Sequence, residues 1–299
     1  MAQLLKRAKI MNCGGIQQRV SFIAHKRLFL LLFLFSFRIA EASQTLEIGV
    51  WPYMSTQALL TLYHPMKTYL EHRLNRPVLF VTAPNQRQFV ERTERGEYRF
   101  AITAPHFARL AQKDVGYVPM LRPERNLVGI LIVKKTSTIR TVDDLKGKTI
   151  TLPGRITIVS MLTLWALKTS GLEEGRDFKV RYAESHNNAV LDVLRGDSSA
   201  AAVAATILDQ MPEDQKGEVR ALAITGEITP LVIIANPKVP KAEVSEMSKL
   251  ILDFTRHTHD GARFMKKVAW EGLETPTEKD MKALDPFVNE LKDMLNTGR

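Results

Sequence analysis

The sequence predicts a two-lobed α/β fold in which each lobe contains a mostly parallel sheet flanked by helices. Short runs rich in β-branched and aromatic residues alternate with longer amphipathic runs, which is typical of βαβ units. The alternation forms two series, one beginning at residue 46 and the other near residue 134. No Pro/Gly-rich linker separates the series. The chain is therefore expected to cross between the lobes within strands.

The first series begins with a strand at residues 46–51, which Pro52 ends because proline has no backbone N–H to donate. A helix at 55–74 follows, and Pro105 fits the first turn of a later helix. The predicted strands are 46–51, 78–83, 99–103, 115–121 and 127–133, and the predicted helices are 55–74, 85–95 and one from Pro105 onward.

The second series contains a run of small residues, 200–205, that predicts a buried strand. Gly171 and Gly196 each follow a helical run and fit helix C-termini. The predicted strands are 149–152, 178–183, 200–205, 219–225 and 231–235, and the predicted helices are 157–170, 187–195, 241–268 and 277–294.

The lobe boundaries are placed where the chain is expected to cross from one lobe to the other within a strand, near residues 128–134 and 228–236. Residues 43–130 and 232–299 are predicted to form lobe 1, and residues 131–231 to form lobe 2.

Residues 1–42 are predicted to be a signal peptide, which would direct the protein to the periplasm. A basic region ends at Arg27, an apolar run of about ten residues follows, and Ala40-Glu41-Ala42 suits cleavage before Ser43. An uncleaved N-terminal anchor is the alternative, and Met11 is a second candidate start. The only cysteine, Cys13, lies in this segment, so the mature chain has no thiol chemistry.

The net charge of the mature part argues against a nucleic-acid partner. The whole chain carries 42 Lys+Arg against 32 Asp+Glu, but residues 1–42 hold seven of those bases and one acid. The remainder has a net charge of +4 with the signs interspersed. A mild, mixed charge of this kind does not form a phosphate-backbone track.

Loops that follow the predicted strands are the candidate ligand-binding segments, because open α/β sheets bind ligands beyond the carboxyl ends of their strands. In lobe 1 these loops supply Tyr53, His106 and Phe107. Tyr53 and Phe107 are interpreted as aromatic walls, whereas Trp51 is assigned to the core. An aromatic wall facing polar groups would suit a small polar solute.

In lobe 2 two helix starts are candidate anion sites. Arg155 and Thr157 precede one helix, and the unsatisfied N–H groups of its first turn attract an oxyanion. Ser185-His186-Asn187 open another helix, and Thr206 follows the next strand. The alternative is that Thr157 only caps its helix and Arg155 is a solvated loop side chain.

Enzymatic and metal-binding patterns are missing from the sequence. It contains no Walker loop, dinucleotide glycine fingerprint, His-Glu-x-x-His helix or Gly-x-Ser-x-Gly elbow. His257 and His259 are two residues apart and would point to different faces of a helix. A non-enzymatic protein without a metal or cofactor is expected.

Several segments of the mature chain resemble sequences of the periplasmic phosphate/phosphite/phosphonate-binding (PhnD-like) family, and they follow one another in the same order. This family belongs to the type II periplasmic binding proteins. The matching residues are Tyr63, Pro65, Met66, Tyr69, Leu70 and Glu71, then Pro105, Phe107, Leu110 and Ala111, then 144–148, 185–187 with Val190, and 195–197. The resemblance implies that His186 contacts the phosphonate and that Thr157 supplies an anion-binding hydroxyl. Phe107 stands where the family usually has tyrosine, and Arg155 substitutes for missing hydroxyl donors.

The resemblance implies a monomeric solute-binding component of an ABC-type importer, with a small anionic solute as ligand and an inner-membrane permease as partner. The alternative is a sensory accessory protein that binds a solute and docks on a membrane histidine kinase or cyclase. An enzyme of cofactor biosynthesis is a third, disfavoured hypothesis.

Overall fold

Strands and helices alternate through the part of the chain that the computed structural model describes, residues 45–297. All of these elements lie in one unit, Leu46–Arg299. The predicted signal peptide and its cleavage site before Ser43 lie outside the described residues.

The strands are β1 (Leu46–Val50), β2 (Val78–Val81), β3 (Phe100–Thr103), β4 (Val118–Pro123), β5 (Leu127–Lys134), β6 (Thr149–Leu152), β7 (Lys179–Tyr182), β8 (Ala200–Ala204), β9 (Val219–Ile228), β10 (Val232–Ala235) and β11 (Leu273–Glu274). The α-helices are α1 (Thr56–Leu74), α2 (Gln86–Glu94), α3 (Pro105–Asp114), α4 (Ile158–Thr169), α5 (His186–Arg195), α6 (Ala205–Gln210), α7 (Glu213–Lys216), α8 (Lys241–His257), α9 (His259–Val268), α10 (Glu278–Lys282) and α11 (Asp285–Thr297).

The first sheet has the strand order β11-β4-β10-β3-β1-β2. Strand β1, next to the edge strand β2, is parallel to both neighbours, and Ile48 pairs with Phe80 on one side and Phe100 on the other. Ala101 and Ile102 are neighbours in β3, but they belong to two different apolar clusters. Since neighbouring strand residues point to opposite faces, both faces of this sheet are covered, as parallel sheets require.

The second sheet has the order β7-β6-β8-β5-β9. β6 is parallel to β7 and β8, whereas β5 is antiparallel to β8 and β9. Each sheet thus combines a parallel three-stranded part with antiparallel additions. The predicted α/β class, with two sheets flanked by helices, is confirmed.

The chain passes between the sheets twice. It leaves the first sheet after Pro123 and enters the second at Leu127, and it returns between Ile228 and Val232. β5 belongs over its full length to the second sheet, so this passage lies slightly before residue 130, where the sequence places the first lobe boundary. The lobe ranges as a whole stay a prediction.

One predicted helix, residues 241–268, is divided in the structure at Thr258. This residue has an extended backbone, and its hydroxyl accepts the N–H of Gly261 at 2.8 Å, which starts α9. Gly261 is required there because a Cβ would lie 1.9 Å from the carbonyl oxygen of Phe254. The predicted helix 277–294 is likewise divided, into α10 and α11.

Gly49 in β1 permits the close approach of an aromatic ring. A Cβ at this position would lie 2.6 Å from Cγ of the buried Tyr98. Tyr98 in turn stacks on Phe89 with ring centroids 4.9 Å apart. The glycine therefore fixes how α2 packs on the first sheet.

Candidate functional site

A cavity of about 580 Å³ lies at the carboxyl ends of strands from both sheets. Its size is within the range of small-molecule sites. From the first sheet it is lined by 51–54, Gln86, 102–104, His106 and Leu231, and from the second by 153–154, 157–159, 183–187 and Ile207. Leu62, Leu127, Pro230, Lys267, Val268 and Trp270 complete the lining.

The start of α4 forms one part of the second-sheet wall. Thr157 is the N-cap, and its Oγ1 accepts the N–H of Ser160 at 3.3 Å. Ser160 donates its own hydroxyl to the carbonyl oxygen of Gly154 at 2.6 Å, which holds the loop against the helix. Ile158 and Val159 also line the cavity. Their N–H groups have no intrahelical acceptor and form a donor pair at the positive end of the helix.

The start of α5 repeats this arrangement. Ser185 is the N-cap, and its Oγ accepts the N–H of Asn188 at 3.1 Å. His186 and Asn187 occupy the first positions of the helix and line the cavity. The first turns of two helices thus line one cavity.

The His186 ring has a defined tautomer. Its Nδ1 lies 3.3 Å from the backbone nitrogen of Ala204, which can only donate, so Nδ1 accepts and Nε2 carries the proton. Burial lowers the pKa of His186 to about 4. At neutral pH the ring is therefore uncharged, and its Nε2–H is free of this contact to serve as a donor.

The first-sheet wall is aromatic, but not in the way the sequence suggests. Trp51 lines the cavity, whereas Phe107 does not. Phe107 packs behind Trp51, with ring centroids 4.3 Å apart, and is 3% exposed. Tyr53 lines the cavity, is 42% exposed, and has its hydroxyl 3.4 Å from that of Tyr63. Burial raises the pKa of Tyr53, so it remains a neutral hydroxyl.

His106 links the two walls. It lies in the first turn of α3, and its Nε2 lies 3.0 Å from the carbonyl oxygen of Ile156 in the opposite loop. Burial lowers the pKa of His106 to about 4, against the opposing effect of this hydrogen bond. Its Nδ1 is buried without a partner, as is Oγ1 of Thr103 three residues earlier.

Formal charge is sparse around the cavity. Among the described lining residues, Glu184 and Lys267 are the only acid and base other than histidine, and both are exposed. Their charges have opposite signs. The polar character of the interior therefore comes from helix-end amides, hydroxyls and neutral imidazoles.

The structure brings six of the nine predicted site residues to the cavity lining: Tyr53, His106, Thr157, Ser185, His186 and Asn187. It places Phe107, Arg155 and Thr206 outside the lining. Arg155 is exposed, and its guanidinium carbon lies 5.4 Å from the ring centroid of Tyr182. The cation–π contact orients Arg155 toward Tyr182. Thr206 is half-buried beside Ile207, which supplies the lining instead.

The other lining residues were not among the sequence-predicted site residues, and they include Trp51, Gln86, Thr103, Lys267 and Trp270. Trp51 and Gln86 follow strands of the first sheet and Thr103 ends one, so their position at strand ends is a signal that the sequence offers. Lys267 and Trp270 lie at the C-terminal end of α9, far along the chain, and no local motif marks them.

Neither a metal site nor a membrane span is found among the described residues. No group of three or more His, Cys, Asp or Glu side chains within residues 45–297 is arranged to hold a metal ion. No helix in this part of the chain has both the length and the apolar character needed to span a bilayer.

One curated relative is the tetrathionate sensor histidine kinase TtrS of Salmonella typhimurium. It is 26% identical over 204 residues, which is 62% of this chain and 34% of the kinase. The alignment therefore spans about a third of the length of the kinase.

Solved structures with the same fold include PhnD1 of Prochlorococcus marinus in complex with methylphosphonate. Its TM-score is 0.71 at 14% identity, covering 84% of this chain and 99% of that chain. A Xanthomonas citri protein bound to chloride gives a TM-score of 0.70 at 17% identity, covering 83% and 99%. These likenesses establish the type II periplasmic binding fold.

The family model described as the periplasmic substrate-binding protein of phosphonate ABC transporters matches residues 48–281. The match covers more than three quarters of the chain. The chain therefore belongs to this family of periplasmic substrate-binding proteins.

Proposed function

We propose that this protein is the solute-binding component of an ABC-type importer and that it binds a small phosphonate- or phosphate-like oxyanion in the cavity between its two sheets. The observation that carries the proposal is the convergence of two capped helix starts, at Thr157 and Ser185, on one cavity. The helices have 12 and 10 residues, and each is long enough to have a positive N-terminal end.

The donors available to an oxyanion come from main chain and side chain together. Ile158, Val159 and Asn187 line the cavity at helix starts, where their amides have no intrahelical acceptor, and the Nε2–H of His186 adds a neutral side-chain donor. Anions bind readily at helix N-termini because the N–H groups and the dipole act in the same direction. No lysine or arginine inside the cavity is required.

Ligand binding is expected to stabilise a closed form of the protein, in which the walls contributed by the two sheets lie close together on either side of the cavity. The hydrogen bond from His106 to Ile156 already joins the two walls. A ligand that contacts both walls favours this closed form by its differential affinity.

The proposal is tested by thermal unfolding and calorimetry with phosphate, phosphite, methylphosphonate, sulfate, methanesulfonate, acetate and tetrathionate. A ligand present at about 100 times its Kd stabilises the folded state by about 2.7 kcal/mol. The Thr157→Val variant is expected to weaken binding by about 1–3 kcal/mol, because the capped turn that orients the amides is lost. Thr206→Val is the matched control, since Thr206 lies outside the cavity lining.

Two results would contradict the proposal. One is the absence of any stabilisation across the panel of anions. The other is equal loss of affinity in Thr157→Val and Thr206→Val, which would place the site away from α4.

A sensory role is the second candidate, and the match to a sensor histidine kinase favours it. In that case the same cavity binds the solute, but the protein docks on a membrane kinase or cyclase rather than on a permease. A deletion strain separates the two roles. Loss of solute uptake supports import, whereas normal uptake with a lost transcriptional response to the solute supports sensing.

Export through a cleaved signal peptide, with cleavage before Ser43, is part of the proposal. The intact mass of the protein purified from whole cells, membranes included, tests it. A mass that begins at Ser43 supports cleavage, and a mass that includes residues 28–37 supports an N-terminal anchor instead. Elution as a monomer in size-exclusion chromatography is also expected.

A further inference from the structure

Two buried polar atoms on the first-sheet wall have no hydrogen-bond partner. They are Oγ1 of Thr103, at the end of β3, and Nδ1 of His106, in the first turn of α3. Both residues line the cavity, and both side chains are almost fully buried, at 1% and 0% exposure. Leaving such an atom unpaired costs free energy, so a ligand that pairs with it gains affinity and selectivity.

The chemistry of His106 is fixed by its contact across the cavity. A carbonyl oxygen accepts hydrogen bonds and cannot donate them, so the Nε2 that lies 3.0 Å from the Ile156 oxygen carries a proton. In a neutral ring the other nitrogen, Nδ1, is then a bare acceptor. Burial lowers the pKa of His106 to about 4, which keeps the ring neutral at the pH of most solutions.

We propose that His106 is a specificity-determining residue that accepts, at Nδ1, a hydrogen bond from an acidic O–H of the bound ligand. The cavity then prefers oxyanions that retain a proton, such as a phosphonate monoanion or hydrogenphosphate, over fully ionised sulfonates and sulfate. This inference rests on the proposed function, because it names the ligand class of the same cavity.

The preference follows from donor and acceptor counts. A sulfonate presents only acceptor oxygens, and one of them placed against Nδ1 would leave two buried acceptors facing each other. A phosphonate monoanion of the same tetrahedral shape turns its O–H toward Nδ1 and its remaining oxygens toward the helix-end amides. Thr103 does not discriminate, because a hydroxyl donates or accepts as required.

The test compares methylphosphonate with methanesulfonate by calorimetry on the wild-type protein, in mildly acidic buffer where the phosphonate keeps one proton. Methylphosphonate is expected to bind about ten- to a hundredfold more tightly, the range for one hydrogen bond to a charged group. Its affinity is also expected to fall as the pH rises and the phosphonate loses that proton. The other titratable lining groups, whose variants serve as controls for this pH dependence, are Tyr53, Glu184, His186 and Lys267.

Two variants locate the effect. His106→Phe keeps an aromatic ring against Phe107, whose centroid lies 4.1 Å from that of the His106 ring, but it removes both nitrogens. It is expected to bring the two affinities to within about threefold of each other, since the acceptor that discriminates is gone. Thr103→Val is the matched control and is expected to weaken both ligands alike. Far-ultraviolet circular dichroism verifies that each variant is folded.

The wild-type comparison decides the matter even if a variant does not fold. Equal binding of the two ligands by the wild-type protein overturns the role of His106 while leaving the proposed function intact. A preference that persists in folded His106→Phe overturns it as well. Absence of binding to every anion in the panel refutes the proposed function, and this inference with it.

Discussion

His106, which is buried, and His186, which is half-buried, predict how the unliganded protein loses stability in acid. His106 and His186 each have a pKa lowered by burial to about 4, whereas an unfolded chain has histidine pKa values near 6.5. Between these values the unfolded state binds more protons than the folded state. The contribution of the two neutral rings to the free energy of unfolding is therefore complete above about pH 6.5, and it is lost as the pH falls toward about 4.

The magnitude follows from the two pKa values. Between about pH 7.5 and about pH 5, one such histidine lowers the free energy of unfolding by about 2 kcal/mol. His106 and His186 together lower it by about 4 kcal/mol, which is a large fraction of the stability of an ordinary domain. The carboxylates with lowered pKa values, such as Asp285, act mainly below this window.

Urea denaturation in anion-poor buffer at several pH values measures the effect. The comparison is with a double variant, His106→Gln and His186→Asn, that cannot titrate in this range. The glutamine amide can still donate to the Ile156 carbonyl, and the asparagine side-chain carbonyl can still accept from Ala204. The double variant should lose much less stability than the wild type between the two pH values, whatever its absolute stability. His72→Gln, at an exposed position, should behave as the wild type does.

An equal loss of unfolding free energy by the wild type and the double variant over this pH window would refute the role of the two histidines. That result would mean that the two rings are solvated or protonated in the folded state. It would also remove the assignment of His186 as a neutral donor.

Three further outcomes are expected. Gly49→Ala should lower stability by about 1–3 kcal/mol, because the new Cβ would overlap the Tyr98 ring, and thermal unfolding measures this. Trp51→Phe should reduce the change in intrinsic fluorescence on ligand binding, whereas Trp165→Phe should retain it, since Trp51 lines the cavity and Trp165 is an exposed residue of α4. Arg155→Ala should bind the ligand with an affinity within about twofold of that of the wild type, as calorimetry measures it. A larger loss would show that the Arg155 side chain contacts the ligand.

Much of the architecture could be predicted because local signals specify it. Runs of alternating and apolar residues marked the strands, and Thr157 before a helical run marked the cap of α4. For α5 the sequence allowed either Ser185 or Asn187 as the cap, and the structure has Ser185 in that place. Since ligands bind beyond the carboxyl ends of strands in such folds, the candidate loops followed from strand positions alone. Tyr53 and His186 were found in this way, and both line the cavity.

What the sequence did not determine depends on contacts between distant segments. Trp51 and Phe107 touch, and only their packing decides which ring faces the cavity. Arg155 is oriented by Tyr182, on a neighbouring strand. Thr258 interrupts a continuous helical pattern because its hydroxyl caps a second helix, a choice that helical periodicity does not reveal.

The helix starts at Thr157 and Ser185 have a consequence for how the proposed anion site can evolve. Backbone amides are present whatever the side chain, so no single exchange of residues deletes them, apart from proline. In the proposed anion site, exchanges on the opposite, first-sheet wall, at residues such as Thr103 and His106, would change which anion is preferred. The proposed capacity to hold some anion would survive each of these exchanges, so new ligands would be reached without passing through a form that binds nothing.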